Sequence, residues 1–204
     1  MRSLLTIRHR TWIVLLFTVL GITLLFGLFP KEYDLRNHAQ WMDRGPGIAF
    51  QKYGIAYSEP IPIGKDTAAD FTIEMVIRLE PGNGKGFQHL LVFHDGTDSA
   101  QMMLGQWQDS LVFMKGDDYA NKRREKKMWL DAAGLVAKDL LLTLTSNAAA
   151  TMIFVNGQPV KVQRNWKPEM PSGEGGTRLV LGNSVYGKHP WTGAVKGLSV
   201  KAGA

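Results

Sequence analysis

Catalysis by paired carboxylates, by a Cys or Ser nucleophile beside a base, or by a clustered metal site each needs particular residue types at a particular spacing, and this sequence supplies little of it. Glu74 is the only acid in the run FTIEMVIRL (71–79), and its neighbours on the same strand face are Thr72, Val76 and Arg78. A lone strand glutamate beside an arginine is the pattern of an ion pair, not of a nucleophile and a general acid held about 5 Å apart. The five histidines, His9, His38, His89, His94 and His189, show no close metal-ligand spacing, and there is no cysteine. Disulfides, thiolate zinc sites and cysteine nucleophiles are therefore excluded. GKGF at 84–87 lacks the spacing of a phosphate-binding loop, and no serine elbow is visible. The one dense basic run, Lys122-Arg123-Arg124-Glu125-Lys126-Lys127, reads as a solvated loop or an edge strand guarded by charge. The formal charge of +6 includes Arg2, Arg8 and Arg10, so from Lys31 onward the surplus is three. No nucleic-acid partner is expected from so thin a basic balance.

The arginines near the N-terminus precede Trp12 to Phe29, eighteen residues without a charge. As a helix this run spans about 27 Å, close to the hydrocarbon thickness of a bilayer. It is longer than a secretory h-region and ends Gly-Leu-Phe-Pro rather than in a small-x-small site, so an uncleaved signal anchor is expected over a cleaved signal. The basic residues before the run place the N-terminus in the cytoplasm. The organisation expected is a cytoplasmic N-terminus (1–11), a transmembrane anchor (12–29), a linker (30–46) and a domain (47–204) on the far side of a bacterial inner membrane, periplasmic or extracellular.

Beyond the linker, short β-type runs alternate with turn residues. In FTIEMVIRL, Phe71, Ile73, Met75, Ile77 and Leu79 alternate with polar or smaller residues, as a strand with one buried face requires. Further strands are expected at 47–50, 54–58, 89–93, 101–107, 110–114, 140–145, 151–155, 159–162, 178–182 and 194–200. Asn156-Gly157 between two such runs predicts a tight hairpin, which Gln158 could lengthen by one residue. Only WLDAAGLVAKD (129–139) is helix-compatible, and Gly134 interrupts it. About ten strands with little helix predict an all-β, two-sheet antiparallel sandwich.

Three segments together resemble the concanavalin A-like, laminin-G-like jelly-roll superfamily: FTIEMVIRL, LLLTLTSNAAATMIFVNGQPV (140–160) and LGNSVYGKHPWTGAVKGLSV (181–200), the last with Leu181-Gly182-Asn183 and Trp191-Thr192-Gly193. NHAQW (37–41) followed by GIAFQKYGIAY (47–57) is similar to the jelly-roll region fused to VanZ-like bacterial membrane proteins. The resemblance covers most of residues 37–201 and implies a lectin-like sandwich. Hydrolases of that fold carry a Glu-x-Asp-x-Glu strand, which is absent here, so no enzyme is expected.

For carbohydrate, the resemblance directs attention to aromatic faces and nearby amides. The candidates are Trp107, Trp129, Trp166 and Trp191 with Gln106, Gln108 and Asn183. Trp107 and Trp191 lie in or beside strands and read as core or sandwich edge, whereas Trp166, in the polar stretch 164–176, is expected to be the exposed one. Calcium sites of the superfamily use aspartates, for which Asp95, Asp98, Asp117 and Asp118 are available, although Gly-Asp pairs are ordinary turn chemistry. The expectation is no cofactor, with calcium as the alternative. The function implied is a membrane-anchored module binding carbohydrate or envelope polymer, the alternative being a structural or protein-interaction module of an exopolysaccharide or envelope assembly.

Overall fold

The computed structural model describes residues 12–24, 37–63, 70–81, 86–97, 102–115 and 127–202. Two compact units divide the chain, Met1–Arg36 and Asn37–Ala204. In the first, residues 12–24 form a helix whose side chains are exposed throughout. The hydroxyls of Thr18 and Thr23 donate to the carbonyls of Val14 and Val19, so each polar side chain is satisfied one turn back within the helix. No helix among the described residues is long and apolar enough to cross a membrane. Residues 25–29 of the expected anchor lie outside the described part.

The second unit contains two antiparallel sheets. One has seven strands: β1 (Ala39–Trp41), β2 (Ile48–Phe50), β13 (Gly193–Ala202), β4 (Phe71–Leu79), β9 (Asp139–Ser146), β10 (Ala150–Val155) and β11 (Gln158–Arg164), in that spatial order. The other has six: β3 (Ala56–Tyr57), β12 (Arg178–Leu181), β5 (Phe87–His94), β6 (Met102–Trp107), β7 (Ser110–Lys115) and β8 (Lys127–Asp131). The C-terminal β13 runs between β2 and β4, and β12 runs between β3 and β5, which gives the crossed connections of a jelly-roll-like sandwich.

Alternation accounts for the central sheet. Every odd-numbered residue of β4 is buried, and Ile73, Met75 and Ile77 pair with Leu144, Leu142 and Leu140 of β9. Leu91, Phe93, Leu104 and Phe113 from the six-stranded sheet complete this core, and fully burying a side chain of that size contributes about 1.5–3 kcal/mol. On the outward face of the same sheet Glu74 takes a hydrogen bond from Lys201 at 3.2 Å, and Asp139 is held by Arg78 and Lys196.

Two local expectations resolve differently. The hairpin at Asn156-Gly157 is tight: both residues have positive φ, 52° and 79°, and Val155 pairs directly with Gln158, so Gln158 does not extend the loop. The helix-compatible stretch 129–139 is instead the end of β8, a 3-10 turn at Ala133–Leu135 and the start of β9. Strand β1 falls inside the stretch read as linker, because Ala39–Trp41 pair with Ile48–Phe50 and extend the larger sheet by one short edge strand.

Candidate functional site

The site is assembled by the phase of three strands. In β6, Met102, Leu104 and Gln106 point to the central core, which leaves Met103, Gly105 and Trp107 on the outer face of the six-stranded sheet. The same alternation puts Ser110, Val112 and Met114 of β7, and Lys127, Trp129 and Asp131 of β8, on that face. Register then places Phe87, Trp107, Ser110 and Asp131 in one row across the sheet, and His89, Gly105, Val112 and Trp129 in the next. Trp107 is 42% exposed and Trp129 47%, whereas Val112 between them is buried. A side chain at Gly105 would collide with the Phe87 ring and the Gln88 carbonyl, so glycine lets the aromatic lie flat over the strand.

Farther along the same face lies a second apolar cluster of Phe87, Val92, Met103, Val112, Met114 and Val180. Ile55 and Val185 pack against it, and the Tyr57 hydroxyl donates to the Val185 carbonyl at 3.3 Å. The loop 182–191 that carries Val185 is fastened by Asn183, whose side-chain oxygen accepts the backbone N–H groups of Ser184 and His189.

Of the tryptophans singled out in the sequence, Trp107 and Trp129 share the outer face and the other two do not join them. Trp191 is fully buried, and its indole N–H donates to Gln106 at 2.9 Å. Trp166 corrects the expectation of exposure: it is 9% exposed, with its ring 5.5 Å from Phe113. The segment around it looks polar, yet Trp166, Pro168 and Met170 are buried at alternate positions, a strand-like signal masked by Lys167 and Glu169. Gln106 is buried and fully used, since its amide also donates to the carbonyls of Glu80 and Gln108. Gln108 sits in the β6–β7 turn at φ 52°, and Asn183 is buried in its loop-fastening role.

Asp95, one of the calcium candidates, closes a local turn by accepting the Thr97 N–H at 3.0 Å and its hydroxyl at 2.7 Å. Burial pushes the pKa of this carboxyl up, but the Thr97 hydrogen bonds outweigh it and the net pKa is lowered. Asp98, Asp117 and Asp118 lie outside the described residues, as do residues 122–126 of the basic run. No group of three or more His, Asp or Glu among the described residues could hold a metal ion.

Sequence reading missed a histidine pair. His89 is 3% exposed, its ring stacks on His189 with centroids 4.8 Å apart and planes 10° apart, and Phe87 meets it edge-on at 5.1 Å. Neither ring nitrogen of His89 meets a hydrogen-bonding partner among the described residues. Burial, and then the neighbouring His189, depress its pKa from 6.5 to about 3. A hundred residues separate the two rings in sequence, so no spacing could have signalled the pair.

No family model matches the sequence, and no curated protein matches it. Solved structures do match in fold. The botulinum neurotoxin serotype D binding domain superposes with a TM-score of 0.61 at 11% identity, covering 81% of this chain and 42% of that one. The binding domain of botulinum neurotoxin DC in complex with SialylT gives 0.60 at 15% identity, covering 82% and 41%. The serotype D ligand binding domain in complex with N-acetylneuraminic acid gives 0.59 at 11% identity, covering 82% and 42%. This chain therefore spans about two fifths of those chains. At such identities the likeness is one of architecture, and it defines a two-sheet antiparallel β-sandwich.

Proposed function

We propose that the chain is a membrane-anchored, non-catalytic module of the concanavalin A/laminin-G type, which binds carbohydrate or envelope polymer outside the cytoplasm of a bacterial cell. The observation that carries the binding reading is the pairing of half-exposed Trp107 and Trp129 on one sheet face. Indole faces stack on the C–H faces of sugar rings, and Ser110 and Asp131 beside them offer a hydroxyl and a carboxylate to sugar hydroxyls. Solved neighbours that contain this architecture in about two fifths of their length are complexed with SialylT and N-acetylneuraminic acid, which makes carbohydrate the first ligand class to test. The non-catalytic reading rests on the acids: Glu74 is ion-paired with Lys201, Asp139 with Arg78 and Lys196, and Asp95 is committed to its turn.

The anchor reading rests on the charge-free run 12–29 and on the threonine hydroxyls satisfied within the helix at 12–24. Alkaline carbonate washing should leave the chain in the membrane pellet, and a phosphatase fused after Ala204 should be active; release into the supernatant would overturn the anchor.

Glycan-array binding by the full chain in lipid nanodiscs, with and without calcium, tests the binding reading. We expect saturable binding to a subset of polysaccharides, weakened at least tenfold by Trp107→Ala or Trp129→Ala with the fold retained. A folded chain that binds none would favour the protein-interaction alternative. The outer face of the seven-stranded sheet supports that alternative with an apolar stripe of Val76, Leu141, Met152, Phe154, Val160 and Val162.

A further inference from the structure

Resting on the carbohydrate reading above, we infer that the outer face of β6–β8 takes an extended, linear β-1,4-linked glycan laid across the strands, not a terminal sugar. Two strand spacings and a two-residue offset separate Trp107 from Trp129, which with ~4.8 Å between strands and ~3.3 Å per residue puts their backbones about 12 Å apart. That separation is a little more than a disaccharide. In a β-1,4 chain successive rings turn over, so alternate rings present the same face to one side, and two platforms a disaccharide apart meet equivalent faces of one chain.

The surface between the platforms suits a ribbon. The line from Trp107 to Trp129 crosses β7 between Ser110 and Val112. Val112 is buried and the Phe87 ring lies over Gly105, so the floor beside the two indoles is apolar and packed. The polar groups lie along the flank. Ser110 stands directly opposite both Trp107 and Asp131, and Asp131 accepts the Ala133 N–H through one oxygen, leaving the other for a sugar hydroxyl. A terminal-sugar site would instead gather several polar groups around one concavity. On this face the two indoles stand on separate strands with β7 between them.

The test is calorimetric titration of the full chain in nanodiscs with cello- and chito-oligosaccharides of one to six units. Binding should be undetectable for the monosaccharides, rise with length until the chain spans both tryptophans, and then level off, the hexamer being at least tenfold tighter than the disaccharide. Trp107→Ala or Trp129→Ala should each weaken the hexamer at least tenfold and flatten the length dependence. Trp129→Tyr, which keeps an aromatic platform, should restore part of the affinity. A monosaccharide that binds as tightly as the hexamer, or a hexamer indifferent to both alanine variants, overturns the extended-chain site. So does silence from both ladders while another polysaccharide binds on the array; in each of these cases carbohydrate binding itself stands. Absence of binding to every glycan overturns both readings together.

Discussion

Replacing Trp191 by alanine is expected to lower the melting temperature by about 10–20 °C, on the scale of 2–4 °C per kcal/mol for a domain of this size. The indole is fully buried between the sheets, tilted against Phe50 with centroids 6.0 Å apart. Gly193 is kept small by the same ring, because a Cβ there would run into the indole's six-membered edge and the Arg78 carbonyl. Truncating a buried Trp costs about 3–5 kcal/mol through lost transfer energy and the cavity left behind. The variant also leaves the Gln106 side-chain oxygen without its 2.9 Å donor in a buried site, a further penalty of about 1–3 kcal/mol. Total stabilities of about 5–15 kcal/mol make this a large fraction of the whole. Trp191→Phe retains most of the ring but not the N–H, so its smaller loss isolates the hydrogen-bond part. Near-UV circular dichroism of the full chain during heating measures both; a Trp191→Ala variant melting within two or three degrees of the parent would show that the indole does not support the sandwich. The same substitution at half-exposed Trp129 should barely move the melting point while it weakens glycan binding.

The contrast between those two tryptophans marks how far the sequence could be read. Strand β4 was legible because its inner face is apolar and its outer face is not, so period two stands out in FTIEMVIRL. The Asn156-Gly157 hairpin was legible because positive φ at both central positions restricts the residue types. Strand β6 was harder, because MMLGQW has buried residues on both faces: Met102 and Leu104 face the central core, and Met103 faces the cluster beneath Ile55 and Val185. With no polar side to fix the phase, Trp107 could not be told from a core residue, although one step of register separates it from buried Gln106. Trp166 failed in the opposite sense, since charged neighbours on its segment hid a buried alternation. The site depends on register among β6, β7 and β8, and pairing partners on separate strands leave no local imprint in a sequence.

Acid should destabilise the sandwich well before its carboxylates titrate, and His89 should be responsible. Its folded pKa of about 3 lies below the ordinary 6.5, chiefly through burial and then through His189. A base whose folded pKa is depressed leaves stability intact above about pH 6.5 and loses it as pH falls toward 3, because the unfolded chain takes up the proton first. Between those limits each pH unit costs about 1.4 kcal/mol. The elements packed around the ring supply no carboxylate: β5, β6, β12 and the loop 182–191 contain neither Asp nor Glu, and their other basic residues are His94, Arg178, Lys188 and His189. His94 is also lowered, by burial and then by Arg178, so it adds to the same loss in the parent. His89→Leu keeps that contribution and removes only the His89 one. Urea unfolding of the parent and of His89→Leu at pH 7.5 and 4.5 should therefore show the parent losing about 2–3 kcal/mol more than the variant on acidification. The backbone supplies the route to the site, since the His89 N–H donates to the His189 carbonyl at 3.0 Å. A proton on the buried ring would place a charge against the segment 182–191, which carries Val185. Equal losses in parent and variant would place the acid sensitivity elsewhere; the expected difference would make the stacked pair the weak point of the sandwich at low pH.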